Sequence, residues 1–279
     1  MDKSMRVDEL RIVIRPEDES ANSARPIPAR IFQKTFNAIF NTLDVTNREL
    51  HSKKQRSEFF ISHLAMGSNE VGVVEQRRTL ADSSAPTIAE VKGVMSSVYH
   101  SDWVRAVERK RLAKAIMAVG KAINPKYPAI AYFGSESDTI PLDAFFAKQA
   151  ERLRPVIEDG GLQTPFFAGS AIGSFDGRLG SIDYRGAAWK GFLVLPGGGV
   201  QIECVFDHTK GENAFNPFGN KRVSVTGTAI YTGDSQLPER IEVTHIEEIP
   251  IIEKSVDLRG SLSGKKYMSG WDIGYKNLQ

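Results

Sequence analysis

The sequence predicts an α+β protein: a layered N-terminal α+β domain, then a small five-stranded β-barrel, then a C-terminal tail. Three observations carry this. Between Ser174 and Ile249, turn residues divide the chain into five apolar, β-branched-rich runs, the pattern of a small all-β module. Upstream, runs that alternate with a period of two are interleaved with runs whose apolar residues recur at three and four. At 279 residues, with 41% hydrophobic and 25% charged residues, the chain has the composition of a globular protein and length for two ordinary cores. The expected division is 1–157 for the N-terminal domain, 158–173 for a Gly-rich linker, 174–252 for the barrel and 253–279 for the tail. The two parts are expected to keep separate cores and to meet across an apolar contact.

In chain order, Val7–Arg15 sets Leu10, Ile12 and Ile14 against Arg11, Val13 and Arg15, which predicts a strand. Pro26-Ile27-Pro28 announces a helix from Ala29 to about Val45, with Ile31, Phe32, Phe36, Ile39, Phe40 and Leu43 on one stripe. Phe59–Met66 and Glu70–Thr79, joined by Gly67-Ser68-Asn69, read as a hairpin. Pro86 opens a second helix, Thr87–Val98. Ser101-Asp102 caps a third, Trp103–Ile123, whose apolar face is Val104, Val107, Leu112, Ile116, Val119 and Ile123. Its exposed faces carry Arg105, Arg109, Lys110, Arg111, Lys114 and Lys121, the densest positive cluster of the chain. A short strand at Ala129–Phe133 and a helix at Leu142–Leu153, ended by Pro155, complete the N-terminal part.

The five barrel strands are expected at Arg178–Tyr184, Trp189–Leu195, Val200–Phe206, Lys221–Tyr231 and Arg240–Ile249, with a longer polar connector at 208–220. Gly227 lies within the fourth, where a barrel bend or bulge is commonly made. The alternation puts Val200, Ile202, the lone Cys204 and Phe206 on one, inner face, so Cys204 is expected to be core and inert. Phe192–Leu195 is apolar on both faces, which predicts a cover over that strand from the N-terminal domain or another subunit.

Three strands, a longer connector and two more strands follow the order of a five-stranded Greek-key barrel of the OB type. The segments GRLGSI, IECVF, NKRVSVTGTAIY and RIEVTHIEEI resemble the OB-type domains of anticodon-binding and exonuclease VII-like proteins. The resemblance is confined to this C-terminal part, and it implies contact with nucleic acid. The expected site residues on the barrel are Arg178, Arg185, Trp189, Lys190 and Lys221, with Trp189 as a stacking platform. From the basic helix come Arg105, Arg109, Lys110 and Lys114. Charge weighs against the barrel acting alone: residues 170–252 hold seven Lys/Arg against ten Asp/Glu, and neutralising phosphates requires cations.

No catalytic pattern emerges. The five His residues are scattered without a close second metal ligand, and no Gly-x-Ser-x-Gly elbow occurs. Gly197-Gly198-Gly199 lies between two strands, where a phosphate loop requires strand then helix. Asp183 and Glu203 are on neighbouring runs, yet Val205 stands where an acidic nuclease would want a Lys. The expectation is a non-enzymatic, bacterial-type accessory protein with no cofactor or metal, contacting single-stranded or structured nucleic acid. The alternative is a scaffold or regulatory subunit that uses the barrel and the aromatic tail (Tyr267, Trp271, Tyr275) to bind a protein partner or a second copy. The N-terminus lacks an apolar signal core and no apolar run reaches the ~20 residues of a membrane helix, so a cytoplasmic location without membrane contact is expected.

Overall fold

The first predicted strand, β1 (Glu9–Ile14), lies at the centre of a five-stranded sheet. The computed structural model describes residues 5–6, 8–18, 26–53, 56–65, 69–77, 85–161, 164–185, 188–207, 210–211 and 214–250. The predicted tail, 253–279, lies outside them. β2 (Glu58–Ala65) and β3 (Glu70–Gln76) form the expected hairpin, and β4 (Ala129–Phe133) flanks β1 on its other side. A fifth strand, β5 (Thr139–Leu142), completes the order β2-β3-β1-β4-β5, with every pairing antiparallel. The sequence reading missed β5 because Pro141 sits inside it. An edge strand tolerates a proline, since the N–H it lacks would have pointed away from the sheet.

Helices bury one face of this sheet: α1 (Ala29–Leu50), α2 (Thr87–Tyr99), α3 (Trp103–Ala106), α4 (Lys110–Ala122) and α5 (Ala144–Asp159). Leu10, Ile12, Val73, Ala131 and Phe133 from the strands meet Leu43, Val91, Met95, Ile116 and Leu153 from the helices in one core. The predicted helix 103–123 is two helices. On a continuous helix Trp103 and Ala106 would lie on nearly the opposite face from Leu112, Ile116 and Val119, so the break at 107–109 lets both sets reach the core. Val104, expected on the apolar face, is instead 81% exposed. Pro155 does not end α5. The helix passes through it to a left-handed Gly160, because Val156 continues the buried stripe of Phe146, Ala150 and Leu153.

The second core is a closed barrel of β6 (Ala168–Leu179), β7 (Trp189–Val194), β8 (Gln201–Phe206), β9 (Arg222–Thr232) and β10 (Arg240–Glu248). Around the barrel the order is β10-β8-β7-β6-β9, with β8 and β10 parallel and the remaining pairs antiparallel. That mixed, closed arrangement is consistent with an OB-like barrel. Ile202, Cys204 and Phe206 point inward as the alternation requires, whereas Val200 precedes β8 and is exposed, and burial pushes the Cys204 thiol up to about 12. Phe215 and Phe218, from the connector, pack against this core.

Two barrel expectations need correction. The first strand begins at Ala168, not Arg178, so part of the stretch read as linker is strand. Its composition, AGSAIGSF, lacks the β-branched density of a strand, and its pairing with β9 from Ala168↔Thr232 to Arg178↔Arg222 is what holds it extended. Phe192 is 47% exposed, so the outer face of β7 is not covered along its length. At Gly227 a Cβ would overlap the carbonyl of Glu242, and the register shift it accommodates lies on the partner strand, between Val243 and His245. Through Glu248 the chain forms one compact unit. No helix among the described residues is long and apolar enough to cross a membrane.

Candidate functional site

The residues expected to bind nucleic acid fall into two groups, and the difference is what surrounds each cation. On the barrel, Trp189 is 8% exposed, in edge contact with Tyr184 and Phe215 at centroid distances of 5.1 and 6.5 Å. A base could not stack on it without opening the core. Lys190 turns toward the helical layer, where its Nζ lies 3.2 Å from Asp143 and 3.3 Å from Glu17. Burial opposes its charge, but Asp143, Glu203 and Glu17 together outweigh that and raise the ammonium pKa. Arg185 grips Asp183 through Nε at 2.8 Å and Nη2 at 2.7 Å, and Lys221 pairs with Glu248 at 2.6 Å. Arg178 is exposed at the end of β6. The barrel's expected cations are thus mostly neutralised by neighbours.

The helical group is different. α4, KRLAKAIMAVGKA, carries Lys110, Arg111, Lys114 and Lys121 and no carboxylate. Its apolar residues face the core, which leaves these four exposed. α1 packs alongside and adds Arg30 and Lys34 from a stretch with no acidic residue in its first turn. Lys34 Nζ donates to the Lys121 carbonyl at 2.8 Å, satisfying an orphan acceptor at the C-terminal end of α4 and holding a further positive charge at this face. Arg105 is exposed on α3, whereas Arg109 is bound to Glu90 of α2. Among the described residues Lys110, Arg111 and Lys114 make no ion pair.

A polar junction joins the helical layer to the barrel, and no pattern in the sequence points to it. Arg240 of β10 is 1% exposed; its Nη2 donates to Asp143 at 2.7 Å, its Nη1 to the Tyr99 hydroxyl at 3.1 Å, and it also pairs with Glu203 of β8. Its guanidinium lies 4.1 Å from the Phe145 ring centroid. Burial works against charge on both partners, yet the Arg240 and Lys190 cations hold the Asp143 carboxyl below the usual range, and burial of Arg240 is outweighed by its neighbours, Asp143 and Glu203 among them. Asp143 also caps α5, accepting from Phe146 N at 3.1 Å. Lys148 and Arg152 of the same helix pair with Glu239 at the start of β10. The contact between the two parts therefore combines apolar packing, with Ile230 of β9 fully buried in the helical-layer core, with this ionic network.

Beside this junction is a cleft of about 350 Å³ between α2, β5 and the barrel, lined by Lys92, His100, Asp138, Lys210, Thr228 and Glu242. His100 Nδ1 donates to the Ser96 carbonyl at 2.9 Å, and its Nε2 lies 3.1 Å from Glu242. Ser96 Oγ is 3.2 Å from Nδ1, which superficially resembles a Ser-His-Glu arrangement. The ring is differently committed: burial lowers its pKa, but Glu242 and the Ser96 carbonyl outweigh that and raise it. With both nitrogens donating, no lone pair is left to take the serine proton. No group of three or more side chains suited to hold a metal ion occurs among the described residues.

Compared with family models, with curated proteins and with solved structures, the chain matches none of them.

Proposed function

We propose that the protein is a non-enzymatic accessory protein that contacts single-stranded or structured nucleic acid along the exposed cationic face of α4 and the first half of α1, with the barrel as the rigid body that face is mounted on. The observation that carries this is the contrast in charge partners: among the described residues Lys110, Arg111 and Lys114 form no ion pair, whereas Lys190, Arg185 and Lys221 do. A cation already paired must break that pair before it can displace counterions from a phosphate backbone, so the unpaired ones contribute more. The commitment of both His100 nitrogens supports the non-enzymatic part of the reading.

The test is binding of fluorescent single-stranded oligonucleotides across a salt series. Lys110→Glu, Arg111→Glu and Lys114→Glu together should weaken binding by about tenfold or more at low salt and lower the slope of log K against log salt by about 2, since each single-strand phosphate contact contributes about 0.7. Trp189→Ala should reduce thermal stability while a folded sample keeps the wild-type slope. An unchanged slope in the triple variant, or lost binding in folded Trp189→Ala protein, would overturn the helix-face reading. A second reading, a scaffold that assembles through protein contacts, is favoured by β6, which pairs with β9 along its run but with β7 only at Arg178 and Leu179.

A further inference from the structure

The barrel is closed, yet one of its strands keeps a long free edge. β6 pairs with β9 over its whole run from Ala168 to Arg178, but with β7 only at Arg178 and Leu179. β7 ends at Val194 and the chain turns away through Pro196 to Gly199, so from Ala168 to Gly177 no strand among the described residues lies on the second side of β6. Every second residue of this run therefore turns its N–H and C=O outward. Ser170, Ala171, Ile172 and Ser174 are exposed along it, and Ile172 is 85% exposed.

Proteins ordinarily guard such an edge with charge, proline or a bulge. Among the described residues the two edges of the five-stranded sheet are guarded: β5 contains Pro141, and β2 has a register irregularity between Ile61 and His63 and begins with Glu58. β6 has none of these between Ala168 and Phe175. Over the free run Ala168–Gly177 only Asp176, near one end, is charged.

We infer that the free edge of β6 pairs antiparallel with the same edge of a second copy of this chain, about a two-fold axis at Ile172. In that register Ser170 faces Ser174, Ala171 faces Gly173, Ile172 meets its counterpart and Asp176 faces Ala168, so no like charges oppose each other and small side chains let the backbones approach. A strand-addition site for a different protein selects its peptide through pockets for alternate side chains. From Ala168 to Ser174 this edge offers only Gly, Ala, Ser and one Ile, which read no foreign sequence but complement themselves. A two-fold pairing also closes: it consumes the edge of both copies and leaves none to propagate.

Sedimentation velocity on the full chain over about 1 to 100 µM tests this, that range bracketing weak to moderate dimer affinities. Wild type is expected to shift from monomer to dimer. Ile172→Lys brings two ammonium groups together at the axis and should raise the dissociation constant by about tenfold or more, a penalty of about 1.4 kcal/mol or more. Because Ile172 is so exposed, the melting temperature should stay near wild type. Ile172→Cys should form an intermolecular disulfide under mild oxidation, while buried Cys204 does not react. A wild-type chain that stays monomeric throughout, a dimer that Ile172→Lys leaves intact, or no cross-link through Ile172→Cys would each overturn the pairing. The nucleic-acid reading rests on other residues and stands or falls by its own salt series.

Discussion

Arg240 shows how much a single side chain can decide. It draws together Tyr99 of α2, Asp143 at the start of α5 and Glu203 of β8, contacts far apart in sequence, and it does so almost out of reach of water. Taking such charges out of water is costly, so the network is not a large net source of stability, but removing one partner strands the others. Arg240→Met is therefore expected to destabilise by about 3–5 kcal/mol, lowering the melting temperature by roughly 10 °C. Adding Asp143→Asn should cost less in that background than in wild type, because the carboxylate has already lost its guanidinium. Denaturant unfolding of the four proteins gives the coupling directly, and strict additivity would show that the two side chains do not act as a pair.

At the scale of elements, closure of the barrel depends on β9 and β10 approaching more closely than side chains allow. Gly227 lies where the register of β10 shifts, with the Glu242 carbonyl against the place a Cβ would occupy. The clash is with backbone, which cannot rotate away as a side chain would. Gly227→Ala should destabilise the protein by about 2 kcal/mol or more, read by thermal or urea unfolding, whereas Gly219→Ala, with only a distant carbonyl nearby, should stay within about 0.5 kcal/mol. Equal effects at the two positions would mean that the close approach is not real. The same scale explains the split between α3 and α4: two amphipathic segments out of phase cannot share a straight axis and both face the core.

Across the whole molecule, the join between helical layer and barrel contains ion pairs and so responds to pH. His100, at the C-terminal cap of α2, bridges to Glu242 of β10, with Lys92, Asp138 and Lys210 around the same cleft. Its pKa is raised from the usual 6.5, so the charged form is favoured by folding. Its contribution is fully present below the unfolded value and is lost as pH rises through the folded one. Asp143 and Glu239 have lowered values and act in the opposite sense, losing their contribution only in acid. Melts from about pH 5 to 9 should show wild type exceeding His100→Gln most at the low end, with the gap closing as pH rises. A gap that widens with pH would place the proton elsewhere.

Much of this architecture was legible without coordinates. The period-two runs gave β1, the β2–β3 hairpin and the last four barrel strands; the three-and-four recurrence gave α1, α2 and the face of α4, and the alternation around Cys204 gave its inward direction. These are local signals: one buried face imprints its period on a dozen neighbouring residues. Tertiary structure alone decided the rest. β6 is a strand because β9 lies beside it, and β5 tolerates Pro141 because it is at an edge. Whether a cation is free or paired also escaped the sequence, since Lys190 meets Asp143 and Arg240 meets Tyr99 only after folding. Ion pairing depends on separation in space, and periodicity carries no information about which distant elements will touch.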